Sequence, residues 1–90
     1  MEEQQLRKII EKAIEEYNKY RSPEATANLI SLDEKFFKIE FIGSFCRTCG
    51  FYDYFDDFKI LLEDFGLKTE IVEILEKIEG AVVKFTVKSP

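Results

Sequence analysis

Lys68-Thr69-Glu70-Ile71-Val72-Glu73-Ile74-Leu75-Glu76-Lys77-Ile78 is the ambiguous segment of this chain, and the architecture turns on it. Ile71, Ile74, Leu75 and Ile78 recur at the three- and four-residue steps of a helix. The β-branched content, and the Glu79-Gly80 turn leading into Ala81-Val82-Val83-Lys84-Phe85-Thr86-Val87, fit a second β-hairpin instead. We read residues 69–79 as strand and turn, which makes the second half of the chain repeat the first.

Working towards the N-terminus, Leu6, Ile9, Ile10, Ala13, Ile14, Tyr17 and Tyr20 mark the apolar stripe of an amphipathic helix, with Arg7, Lys8, Glu11, Lys12, Glu15 and Glu16 on its other face. Ser22-Pro23 stops that helix, because proline disfavours α geometry in the residue before it. Ala25 to Leu32 and Phe36 to Ile42 read as strands joined across Asp33-Glu34-Lys35, with Phe37, Ile39 and Phe41 alternating against Lys38 and Glu40. Gly43-Ser44-Phe45 then leads into Cys46-Arg47-Thr48-Cys49. From Gly50 to Phe65 a second helix carries Phe51, Tyr54, Phe55, Phe58, Leu61, Leu62 and Phe65 on one face, and Gly66 suits its left-handed C-terminal cap.

Shifting the first half forward by 45 superposes Leu6, Ile9, Ile10, Ala13, Tyr17 and Tyr20 on Phe51, Tyr54, Phe55, Phe58, Leu62 and Phe65. A shift of 46 superposes Phe36-Phe37-Lys38-Ile39 on Val82-Val83-Lys84-Phe85. The expected fold is therefore α+β: a two-layer α-β-β-α-β-β domain spanning 1–90, with a four-stranded antiparallel sheet and both helices on one face. This order is a circular permutation of the ferredoxin-like β-α-β-β-α-β pattern.

Composition narrows the function classes. With 46% hydrophobic residues, nine Phe and four Tyr, one small domain has enough apolar mass for a core without disulfide staples. The net charge of −5 opposes non-specific binding to nucleic acid or anionic membrane. No apolar run approaches the roughly 18 residues of a membrane span, and Met1-Glu2-Glu3-Gln4-Gln5 is the opposite of a secretory leader, so the expected location is the cytoplasm. Abundant Lys and Glu with few Gln, Asn, Cys and Met give a thermophile-like composition. The chain has no His, which removes Ser-His-Asp and Cys-His nucleophiles, imidazole zinc ligands and the usual general base. Ordinary enzyme catalysis is not expected.

Cys46 and Cys49 are the only cysteines and the candidate metal ligands. Two residues apart at a helix start, both sulfurs can face one point, and the orphan N–H groups and helix dipole favour thiolate. Two thiolates fill half of the four positions of a structural zinc or a cubane cluster, so dimerisation would have to complete the site. Carboxylates such as Asp53 could instead join within one chain, giving a site poorer in soft ligands. Two other readings stand beside metal binding. In a dithiol redox pair Cys46 would attack and Cys49 resolve, helped by Arg47 and opposed by Asp53, Asp56 and Asp57. In an interaction module without chemistry, the cysteines would be small apolar packing residues.

The order helix, hairpin, Gly-x-x-Cys-x-x-Cys, helix over roughly residues 4–65 resembles the NifU C-terminal domain family. That resemblance implies that Gly43 matches the family glycine and Cys46 and Cys49 its ligands. It further implies an iron–sulfur cluster held by two such pairs, one from each chain of a homodimer, for delivery to other proteins. This chain departs from the family in the residue inserted by Ser44-Phe45, in Gly50 where proline is usual, and in the longer closing segment Lys68 to Val87. The function expected is thus a small metal- or iron–sulfur-cluster-binding accessory protein, with a cluster or zinc as cofactor.

Two further features carry less. Asp53, Asp56 and Asp57 could hold Mg²⁺ through water, but read more simply as a solvated face favoured by the dipole. On the sheet's outer face, Phe36, Lys38, Glu40 and Ile42 should alternate outward beside Lys84, Thr86 and Lys88. Lysines next to an aromatic suit single-stranded nucleic acid, yet the paired aromatics of an RNA-recognition motif are missing and Glu40 sits among the lysines. A dimer interface or plain solvated face is expected there.

Overall fold

The ambiguous segment is a strand. The computed structural model describes residues 2–21, 25–43, 51–77 and 80–88. They form helix α1 (Glu3–Arg21), strands β1 (Thr26–Leu32) and β2 (Phe36–Ile42), helix α2 (Phe51–Asp64) and strands β3 (Thr69–Lys77) and β4 (Gly80–Val87). The Ser22-Pro23 stop and Ile78-Glu79 lie outside the described residues. The four strands make one antiparallel sheet in the order β1-β2-β4-β3, an order compatible with the permuted ferredoxin-like expectation.

A bulge explains why β3 mimics a helix in sequence. Its register against β4 shifts between Ile71 and Glu73, so Val72 is an extra residue and the inward positions run Thr69, Ile71, Ile74. Inserting one residue into a two-residue alternation creates a three-residue step, the spacing of a helix. Leu75 exposes the difference. On a helix it would share the stripe of Ile71, whereas here it is 61% exposed on the outer face. β1 does the same, shifting between Leu29 and Ser31. Both bulges lie on the sheet's two edge strands, where they spoil the flat edge that another strand would need for pairing.

The inner sheet face buries Ala27, Phe37, Ile39, Phe41, Ala81, Val83 and Phe85. Both helices cover it, and aromatic rings lock the layers together. Tyr17 of α1 meets Phe41 of β2 edge-on at 5.5 Å and Phe58 of α2 at 5.6 Å. Phe58 in turn meets Phe41 at 5.6 Å and Phe85 at 5.8 Å. Such edge and tilted contacts add about 0.5–1.5 kcal/mol per pair beyond burial.

α1 buries Leu6, Ile10, Ala13 and Tyr17 at the expected spacing. Tyr20 belongs to the same stripe by spacing but is 71% exposed. α2 buries Phe55, Phe58 and Leu62 and leaves Phe65 more exposed, because the helix ends before it. A Schellman motif stops it: Gly66, with φ of +92°, donates to the Glu63 carbonyl at 2.9 Å, and the Leu67 N–H reaches the Leu62 carbonyl at 2.8 Å.

The internal repeat holds in the fold, with one adjustment. The shift of 45 pairs Ile10 with Phe55, Ala13 with Phe58 and Tyr17 with Leu62, all buried. In the sheet the shift is 44 rather than 46: adding 44 to Ala27↔Phe41 gives the observed Ile71↔Phe85, and Ser31↔Lys38 becomes Leu75↔Val82. Between β2 and β4 either even shift keeps inward residues inward, whereas the bulges of β1 and β3 fall at different places and a shift of 44 carries the inward Leu29 onto the outward Glu73.

Candidate functional site

The cysteine pair falls in the connection from β2 to α2, and Cys46 and Cys49 lie outside the described residues, as do Ser44, Phe45, Arg47, Thr48 and Gly50. What is described is the frame on either side. β2 is an inner strand, paired on both edges by β1 and β4 through Ile42. Gly43 follows with φ of +155°, a backbone conformation that glycine adopts more readily than any other residue. On the far side α2 starts at Phe51, two residues after Cys49 and so within about 7 Å of chain reach.

α1 holds the first half of α2 in place. The Tyr17 hydroxyl donates to the Tyr54 carbonyl at 3.0 Å. The Arg21 guanidinium pairs with the Asp57 carboxylate and lies 5.3 Å from the centre of the Tyr54 ring. Sequence reasoning placed Asp57 with Asp53 and Asp56 as a carboxylate group, but Asp57 is committed to Arg21. Asp53 and Asp56 are exposed. Among the described residues no three Asp, Glu or Cys side chains gather to hold a metal ion.

Asn18 is a framing residue that the helix pattern did not reveal. Its side-chain amide donates to the Ala27 carbonyl at 3.1 Å, while its carbonyl oxygen accepts the Ala27 N–H at 2.7 Å. It thereby ties α1 to the edge strand β1. A polar residue beside the apolar Tyr17 and Ile14 was the one available signal.

The outer sheet face is arranged as expected, with Phe36, Lys38, Glu40 and Ile42 of β2 beside Val82, Lys84 and Thr86 of β4. Register adds what sequence missed: Ser31 opposite Lys38, and Glu73, Leu75 and Lys77 on the same face of β3. Glu40 lies 3.7 Å from the Lys77 ammonium, and Glu70 lies 3.0 Å from that of Lys88. Lys84 sits over the Phe36 ring, 4.7 Å from its centre. Among the described residues no helix is long and apolar enough to cross a membrane.

No protein-family model, curated protein or solved structure matches this chain.

Proposed function

We propose that the protein is an accessory protein that binds a metal ion or iron–sulfur cluster through Cys46 and Cys49, one C-x-x-C pair per chain, with a second copy completing the site. The observation that carries this reading is the framing of the pair. Its connection runs from an inner strand held on both sides to the start of a helix that Tyr17 and Arg21 brace, so two thiols are carried between well-anchored ends.

The donor set fits a shared site better than a private one. The chain has two cysteines and no histidine, and Asp57 is engaged by Arg21. Four-thiolate coordination therefore draws its other half from a second chain. Ile42 and Leu75, 40% and 61% exposed, lie on the outer face, where Val82 stands between Leu75 and Glu40 and the Glu40–Lys77 ion pair crosses beside them. Self-association through this face would cover Ile42 at the start of the cysteine segment. Thiolate ligation of the metal or cluster would link the two copies.

The test is the molecular mass in solution with and without chelator. Dimers that become monomers on metal removal, and that never form in the Cys46→Ala/Cys49→Ala variant, support the reading. A dithiol redox role predicts instead an unchanged mass and loss of disulfide exchange on Cys46→Ser alone.

A further inference from the structure

Lys38 and Lys84 stand directly opposite each other on the two central strands, on the outer face. Like charges in that position repel and destabilise a sheet. Among the described residues neither ammonium has a carboxylate within ion-pair distance. The nearby Glu40 and Glu70 are taken by Lys77 and Lys88. Glu73 stands opposite Lys84 and Asp33 lines the same surface, yet among the described residues no ion pair neutralises either lysine.

The lysines border a depression of about 290 Å³, lined also by Ser31, Asp33 and Phe36. Ser31, Lys38 and Lys84 form one row across β1, β2 and β4, so a hydroxyl-bearing and two ammonium-bearing side chains stand side by side in its lining. Phe36 is 38% exposed at one side, and Lys84 rests on its ring at 4.7 Å. An exposed cation–π contact is weak and readily exchanged for a charged partner.

We propose that this depression binds a single nucleotide, independently of the cysteine site. The phosphate lies between Lys38 and Lys84 and accepts from the Ser31 hydroxyl, while the base stacks on Phe36. Binding moves Lys84 from ring to phosphate, which frees the ring face for the base. The occupant is one nucleotide rather than a strand. There is one exposed ring here, and Asp33, Glu40 and Glu73 surround the lysine pair, so an extended polyanion would meet carboxylates on every side.

Titration calorimetry at low ionic strength tests this with adenosine diphosphate, adenosine, inorganic phosphate and a short oligothymidylate as separate probes. Adenosine diphosphate should saturate at one per chain and bind at least about tenfold tighter than adenosine or phosphate alone, as expected when two charge-assisted contacts and a stack act together. Lys38→Gln and Lys84→Gln should each weaken it about tenfold. Phe36→Ala should weaken it while leaving phosphate binding unchanged. All three positions are on the surface, so circular dichroism should remain that of the parent, and Cys46→Ala/Cys49→Ala should bind normally. The proposal is overturned if adenosine diphosphate does not saturate by about 1 mM, or if the lysine variants bind like the parent. It also fails if phosphate alone matches the nucleotide, or if the oligothymidylate binds more tightly per chain.

Discussion

The Tyr17 hydroxyl donates a hydrogen bond to the Tyr54 carbonyl oxygen at 3.0 Å, while the Tyr17 ring fills the space between Phe41 and Phe58. One side chain thus fastens α1 to α2 by a polar contact and to the sheet by an apolar one. The two contributions can be separated by mutation. Tyr17→Phe keeps the packing and should cost about 1 kcal/mol, whereas Tyr17→Ala should cost about 3–5 kcal/mol. Urea denaturation measures both; equal losses would show that the ring packing adds nothing beyond the hydroxyl, and no loss in Tyr17→Phe would show that the hydrogen bond contributes nothing.

Thr69 is 2% exposed, and among the described residues its hydroxyl has no hydrogen-bond partner. A buried hydroxyl without a partner bears a desolvation cost that an isosteric methyl avoids. Thr69→Val should therefore stabilise the protein by about 1 kcal/mol, raising Tm by about 4–8 °C. A lower Tm would mean that the hydroxyl is satisfied in solution.

Gly80 opens β4 against Phe41. A Cβ at this position would stand 1.8 Å from the Phe41 carbonyl oxygen, which is backbone and cannot swing aside. Gly80→Ala should lose about 1–3 kcal/mol or more as β2 and β4 are forced apart. Amide exchange along β2 and β4 should quicken, and a variant as stable as the parent would contradict the close approach.

Asn18 satisfies both backbone groups of Ala27. Asn18→Ala removes both bonds and should cost about 1–3 kcal/mol, with the Ala27 amide exchanging faster than its neighbours. If Ala27 retains its protection, the clamp does not operate in solution.

β2 was the most legible element, since its strict alternation from Phe36 to Ile42 states both strand and buried face. β3 was the least, because the extra residue at Val72 turns an alternating pattern into a helical one. The same kind of insertion near Ile30 hid the place of Ser31 beside Lys38. Cross-strand neighbours such as Lys38 and Lys84 are far apart in sequence, so outward alternation could put both on one face without showing that they oppose each other. Cys46 and Cys49 stood out by residue type and spacing. The bracing of their flank by Tyr17 and Arg21 comes from another helix and left no local pattern to read.

On the proposed reading Cys46 and Cys49 hold a metal shared between two copies. Elemental analysis of protein purified without oxygen, normalised to chain concentration and blanked against Cys46→Ala/Cys49→Ala, tests it most directly. A shared site gives about half a zinc or, for a cubane cluster, about two irons per chain, the stoichiometry of one four-thiolate site per dimer. Iron and zinc at the level of the variant would contradict it.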